Sequence, residues 1–292
     1  WRVKDIVPGA EGSWPIGLAW LGSDLLFTAS GAGSFGELWR TDGTEAGTVV
    51  IPLADDAYPF SGWGASWTIA AGRYFFAATD PAHGVEPWVY DGLTAARVAD
   101  LVPGPDSSIV AAFPEYFVPF FEAFGSEALF TATDGVFGTE LWRTSGNGVQ
   151  MVEDINPGPD GSSTSSLEVM GNHVYFSAFD PANGNELWKA DASGADLVKD
   201  IAPGVNNSYP SNLKTFGGKL YFTAYDGVKG NELFRTDGVT TDVFADVYPG
   251  ANGSYPGNLT PVAGLLYFTT SLPATIRLCR LPERSTARAS TR

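Results

Sequence analysis

The sequence predicts an all-β fold, a six-bladed β-propeller of four-stranded blades, and three observations predict it. The first is a phrase that recurs. Glu37-Leu38-Trp39-Arg40-Thr41-Asp42-Gly43 returns as Glu86-Pro87-Trp88, Glu140-Leu141-Trp142-Arg143-Thr144, Glu186-Leu187-Trp188-Lys189 and Glu232-Leu233-Phe234-Arg235-Thr236-Asp237-Gly238. The second is the period, 46 residues from Asp154 to Asp200 and again to Asp246. That length suits one blade of four short strands and is too long for a leucine-rich horseshoe. The third is composition: 35 Gly and 20 Pro in 292 residues require many tight turns. The 3.6-residue apolar period of helical repeats is absent.

The elements of one repeat follow in a fixed order. A strand-like segment leads into Asp-apolar-x-Pro-Gly at 5–9, 100–104, 154–158, 200–204 and 246–250. Eight residues after each Asp stands a serine: Ser13, Ser108, Ser162, Ser208 and Ser254. An apolar-aromatic strand comes next, centred on Phe27, Phe76, Phe130, Phe176, Phe222 and Phe268. The Glu-Leu-Trp strand follows, and an outer strand such as Leu197-Val198-Lys199 leads to the next Asp. Repeats therefore start near 5, 54, 100, 154, 200 and 246, the second being worn to Ala54-Asp55-Asp56-Ala57-Tyr58-Pro59. Residues 1–272 read as a single propeller. Arg2-Val3-Lys4-Asp5-Ile6 matches Leu197-Val198-Lys199-Asp200-Ile201, so residues 1–6 are expected to complete the last blade as its outer strand and remove the open edge. Residues 273–292 abandon the phrase, turn basic, and read as a degenerate tail.

Charge narrows the partners. The formal net charge is −16, from 17 basic and 33 acidic side chains, a field that repels a phosphate backbone, so no nucleic acid is expected. Divalent cations or neutral ligands suit it better. Cys279 is the one cysteine, which leaves no internal disulfide and no thiolate metal site; His83 and His173 are too few for a multi-histidine site. No apolar run reaches the roughly 18 residues needed to span a bilayer, so no membrane insertion is expected. The chain opens directly on repeat sequence, as a processed secreted protein or a trimmed one would.

The phrases at 37–44 and at 3–9 and 198–204 (Val-Lys-Asp-Ile/Ala-type lead into Pro-Gly) resemble the bacterial ELWxxDGT-repeat family over roughly residues 1–270. Pro87, Ser145, Phe234 and the whole of the sixth repeat depart from the pattern. The resemblance implies a secreted or surface-displayed repeat protein, extracellular or at the cell surface, and implies no established reaction.

The chemistry-bearing candidates lie in two places. Hairpins between the second and third strands carry Asp80/Glu86, Asp134/Glu140, Asp180/Glu186 and Asp226/Glu232, and should share a face with the crossovers. Two readings stay open. Clustered hard oxygens beside glycine-rich turns suit Ca²⁺, with Asp134, Glu140, Asp180, Glu186, Asp226 and Glu232 of the best-preserved repeats as ligands. Alternatively each Asp accepts N–H groups of its own turn, which repetition in nearly every repeat favours. The tryptophans at one strand position (Trp39, Trp88, Trp142, Trp188) fit packing better than sugar stacking. The third repeat is unique: Ser108 to Phe130 spans twenty-two residues where other repeats have fourteen. The insertion holds Phe113, Tyr116, Phe117, Phe120 and Phe121, either an exposed ligand-binding patch or an inward-folded plug.

Catalytic signals are missing. There is no Gly-x-Ser-x-Gly elbow and no phosphate loop, and a carboxylate pair repeated in four hairpins is not the single special pair a glycosidase needs. The expected function is a secreted or surface-attached non-catalytic binding and scaffolding propeller, Ca²⁺ being the cofactor considered and a glycan or an extracellular protein the partner. The alternatives are a lectin-like glycan-binding propeller and a channel-mouth glycoside hydrolase or lyase.

Overall fold

The computed structural model describes residues 2–31, 36–59, 67–109, 121–272 and 275–282. Among these the strands form six antiparallel sheets. The first runs in order β1 (Ile16–Leu21), β2 (Asp24–Ala29), β3 (Glu37–Thr41) and β4 (Val49–Val50). The second has five strands: β5 (Tyr58–Pro59) and β6 (Trp67–Ala70) both pair with β7 (Arg73–Asp80), which is followed by β8 (Gly84–Tyr90) and β9 (Ala95–Arg97). The third comprises β10 (Phe121–Phe124), β11 (Glu127–Thr133), β12 (Thr139–Thr144) and β13 (Gln150–Glu153). The fourth holds β14 (Ser165–Met170), β15 (His173–Asp180), β16 (Gly184–Asp191) and β17 (Gly194–Lys199). The fifth holds β18 (Ser211–Phe216), β19 (Lys219–Tyr225), β20 (Asn231–Thr236) and β21 (Thr241–Ala245). The sixth has β22 (Gly257–Val262), β23 (Leu265–Leu272) and β24 (Thr275–Pro282). The predicted sequence of short strands in antiparallel meanders is therefore present.

The chain divides into two compact units, Trp1–Met151 with Gly158–Asp160, and Val152–Pro157 with Gly161–Arg292. Within each, the two-residue side-chain period of a strand assigns alternate residues to opposite faces. In β7, Tyr74, Phe76 and Ala78 pack with Ala19, Leu26 and Leu38 of the first sheet, while Phe75 and Ala77 pack with Phe130 and Trp142 of the third. In the fifth sheet, Leu220, Phe222 and Phe234 join Leu187 and Tyr175, whereas Tyr221 and Leu233 join Leu266 and Phe268. A strand buried on both faces explains why these segments read as near-continuous apolar runs.

The recurrent phrase now has a structural reason. Its aromatic stands directly opposite the phenylalanine of the preceding strand: Phe27 with Trp39, Phe76 with Trp88, Phe130 with Trp142, Phe176 with Trp188, and Phe222 with Phe234. Rings of the first and last of these pairs stack at 6.4 and 5.7 Å. The tryptophans are packing residues, which is why Phe234 replaces one without consequence for the pattern.

Two expectations about the ends are corrected. Residues 2–9 carry no strand; Lys4 Nζ instead donates to the Thr48 carbonyl at 2.7 Å, and Ile6 packs beside Phe27 and Trp39. The stretch 273–292, read as a tail outside the repeat, supplies β24, whose register against β23 is unbroken from Leu272–Thr275 to Leu265–Pro282. Its apolar Ile276, Leu278 and Leu281 are interspersed with Arg277 and Arg280, and the basic composition masked them.

Candidate functional site

The glutamate of the phrase is an interior group. Glu86, Glu140, Glu186 and Glu232 are all fully buried. Glu86 accepts from Ser108 Oγ at 2.6 Å, Ser108 N at 3.1 Å and Leu101 N at 3.2 Å. Glu186 accepts from Ser208 Oγ at 2.6 Å and from the N–H groups of Ile201 and Ala202. Glu232 accepts from Ser254 Oγ at 2.6 Å and Val247 N at 3.0 Å. These carboxylates tie down the crossover that carries Asp-x-Pro-Gly and the repeat serine. Burial pushes Glu86 up to about 7, and pushes Glu186 and Glu232 upward, against the downward pull of the donors.

The hairpin aspartates occupy their own turns. Asp134 Oδ1 accepts from Val136 N and Phe137 N, Asp180 Oδ1 from Ala182 N and Asn183 N, and Asp226 Oδ1 from Val228 N and Lys229 N. This is the Asx-turn geometry that lets a short polar side chain stand in for a backbone carbonyl. None of the six candidate ligands belongs to a converging group of three or more His, Cys or carboxylate ligands among the described residues. The group that does converge is Asp55, Asp80 and His83, within 4.8 Å of one another. A guanidinium already fills it: Arg97 Nη1 lies 2.7 Å from Asp80 Oδ2 and Nη2 lies 3.6 Å from Asp55 Oδ2. Burial raises Asp80, but the bonds from His83 and Ala82 N and the charges of His83 and Arg97 outweigh it and hold the carboxyl below its usual range.

Of the aromatic insertion, Phe113, Tyr116, Phe117 and Phe120 lie outside the described residues. Phe121 opens β10 and is buried against Phe130, with ring centroids 5.4 Å apart, so the ligand-binding reading does not hold for that residue.

A cavity of about 560 Å³ opens elsewhere, at the end of the fifth sheet where hairpin 225–231 meets the crossovers on either side. Its walls include Asn207, Tyr209, Tyr225, Asp226, Asn231 and Tyr255. Three tyrosines around one cavity are 61%, 41% and 58% exposed at 209, 225 and 255. Tyr209 and Tyr255 both have φ of 48°, a left-handed conformation costly for an aromatic residue and further disfavoured by Pro210 and Pro256 behind them. The conformation is held because two successive N–H groups converge on one carbonyl. Ser208 N and Tyr209 N donate to Asn185 O, and Ser254 N and Tyr255 N donate to Asn231 O. Such a nest turns the side chain outward. Asn207 Nδ2 donates to the Tyr209 hydroxyl at 3.0 Å, which fixes that ring.

Sequence reasoning singled out Asp226, as a candidate Ca²⁺ ligand, but missed the tyrosines around it. The signal for two of them was present as the triplets Ser208-Tyr209-Pro210 and Ser254-Tyr255-Pro256, echoed by Ser13-Trp14-Pro15 with Trp14 at φ 47°. Aromatics next to prolines beside a buried serine read as packing unless the backbone sign of φ is known.

Comparison with known proteins defines the fold. No family model and no curated protein sequence matches the chain. Among solved structures it is similar to prolyl oligopeptidase B from Galerina marginata, at 12% identity over 91% of this chain and 39% of that one, with a TM-score of 0.51. The β-propeller domain of the Trilobed protease from Pyrococcus furiosus aligns at 10% identity over 97% of this chain and 86% of that one, TM-score 0.49. TolB from Acinetobacter baumannii aligns at 12% identity over 90% of this chain and 62% of that one, TM-score 0.43. The chain thus spans well under half of prolyl oligopeptidase B. The fold is that of β-propellers. The neighbours named here are peptidases, one of them through its propeller domain, and TolB, which corrects the expectation of a non-catalytic surface scaffold.

Proposed function

We propose that this chain is a peptide-recognising propeller within a larger peptide-handling protein, and that a polypeptide segment docks in the cavity formed by Tyr209, Tyr225 and Tyr255. One observation carries the reading: three part-exposed tyrosines converge on a cavity of ligand-binding size, two of them held there by a backbone conformation that costs stability. Rigid amphipathic rings with few rotatable bonds are what polypeptide-binding surfaces use for contact area at low entropic cost. The similarity to an oligopeptidase agrees with a polypeptide ligand; the chemistry itself is read from the cavity. Six sheets and a 46-residue period support six blades.

The test is titration of a pool of unstructured peptides into the whole chain, followed by calorimetry. Saturable binding that falls at least tenfold in a Tyr209→Ala/Tyr255→Ala double variant is expected. No saturable binding of any peptide, with the fold intact by circular dichroism, overturns the proposal.

A further inference from the structure

We infer that the cavity beside the fifth sheet selects a cationic side chain, the guanidinium of an arginine or the ammonium of a lysine, from the polypeptide it takes; this rests on the peptide reading above. No Lys or Arg lines the cavity, and its one ionisable carboxylate is Asp226. Asp226 is only half committed. Oδ1 accepts from Val228 N at 2.9 Å and Lys229 N at 2.7 Å, while Oδ2 accepts from no donor among the described residues. Asp226 lines the cavity, and with Oδ1 locked in a turn its Oδ2 is an acceptor that the protein itself leaves open.

A second acceptor is orphaned by a local change between repeats. In the fourth sheet, Asn185 Oδ1 accepts from Ser177 Oγ at 2.7 Å and Asn185 N donates to Asn207 Oδ1 at 2.7 Å. In the fifth, Thr223 stands where Ser177 would, but its hydroxyl turns to the Pro256 carbonyl at 2.7 Å. Gly253 stands where Asn207 would. Asn231 Oδ1, at the cavity wall, is left buried without a donor. A buried acceptor without a donor is rare in native structures and sets this wall apart from its counterpart in the fourth sheet; the atom lies beneath the surface and is not itself a contact for a ligand.

The rings complete the case. None of Tyr209, Tyr225 and Tyr255 stacks on another aromatic side chain among the described residues, and each is part-exposed at the cavity. Part-exposed aromatic rings around one carboxylate favour a cation through the ring quadrupole, and Arg or Lys also supplies a donor for Asp226 Oδ2. The −16 charge of the chain attracts the same ligand at longer range. Tyrosines bracket the hairpin on both sides here: the residue after the repeat serine is Ile109 and Ser163 in the third and fourth repeats, and Tyr209 and Tyr255 in the fifth and sixth.

The experiment compares acetyl-Gly-Arg-Gly-amide with the same peptide carrying citrulline, a neutral isostere, and with arginine amide alone, by calorimetry at low salt. Asp226→Asn keeps an oxygen for the turn and replaces the free acceptor with a donor, so the fold control is built in. At least tenfold preference for the arginine peptide, lost in Asp226→Asn and reduced about tenfold in affinity by Tyr255→Ala, is the expected result. Equal binding of both peptides, still lost in Tyr255→Ala, overturns the cation inference and leaves the peptide reading standing. Arginine amide binding as tightly as the arginine peptide supports the cation site and overturns the peptide reading. Binding of none of the three, or of a neutral oligosaccharide instead, overturns both.

Discussion

Ser254 Oγ donates a 2.6 Å hydrogen bond to Glu232 Oε2, both residues fully buried and twenty-two positions apart. Ser208 and Glu186, and Ser108 and Glu86, repeat the contact at the same separation and the same distance. Each serine also accepts, through its carbonyl, an N–H at or one residue before the end of the second strand that follows: Thr133 N to Ser108, Tyr225 N to Ser208 and Ser271 N to Ser254. A crossover without regular structure is thereby fixed at both ends by buried polar groups.

Removing the hydroxyl tests that role. Ser208→Ala leaves Glu186 Oε2 with the Ile201 N–H alone and should cost about 1–3 kcal/mol. Glu186→Ala strands the N–H groups of Ile201 and Ala202 as well as the hydroxyl and should cost more. Urea unfolding of both variants checks the order. A cost for Ser208→Ala within error of zero would remove the buried pair as a structural tie.

Glu86 gives the pH dependence a sign. Its folded value of about 7 lies above the ordinary 4.5, so the native state holds this proton more tightly than the unfolded chain. Stability from that proton is fully present below about pH 4.5 and is lost as pH rises through about 7. Asp80 acts oppositely: its carboxyl is held below its usual range, so its contribution is present above about pH 4 and lost as pH falls further. The melting temperature should therefore decline between pH 5 and 8, and Glu86→Gln should flatten that decline even though it lowers the midpoint. An unchanged slope in the variant would assign the titration elsewhere.

Asp180 separates a turn cap from an ion ligand. Its Oδ1 receives Ala182 N at 2.7 Å and Asn183 N at 3.2 Å, and Oδ2 receives Asn183 Nδ2 at 2.7 Å. Asn retains one acceptor of the right reach, so Asp180→Asn should change stability by less than about 1 kcal/mol, while Asp180→Ala loses about 1–2 kcal/mol. Melting in EDTA and then in millimolar Ca²⁺ accompanies both. A Ca²⁺-specific rise that Asp180→Asn abolishes would give this oxygen to an ion instead.

How far the sequence could be read depends on which property carried each feature. Phe27 opposite Trp39, and its four counterparts, were legible because a period-two strand and a fixed repeat length leave one register. The Glu232–Ser254 tie was legible as spacing but not as a bond, since spacing does not say that a carboxylate points inward. β24 was hidden because its arginines are interspersed with apolar residues, and composition averages over both. The cavity was illegible for another reason. It depends on the handedness of φ at Tyr209 and Tyr255, and on Thr223 turning away from Asn231, neither of which a residue pattern encodes.

Substitutions at Tyr255 should separate backbone strain from binding. Its left-handed backbone costs about 1–2 kcal/mol for a residue with a Cβ, and with 58% of the residue exposed little burial is given up on truncation. Glycine removes the Cβ penalty but gains freedom in the unfolded chain, which offsets about 0.5–1 kcal/mol of the relief. Alanine keeps the penalty and loses the ring. Tyr255→Gly should therefore be more stable than Tyr255→Ala by roughly 0.5–1 kcal/mol in urea unfolding, while both variants lose the same peptide affinity. That combination identifies a ring held in place against the preference of its own backbone. If glycine and alanine prove equally stable, the strain at Tyr255 is absent in solution, and the ring's outward position needs no functional reason.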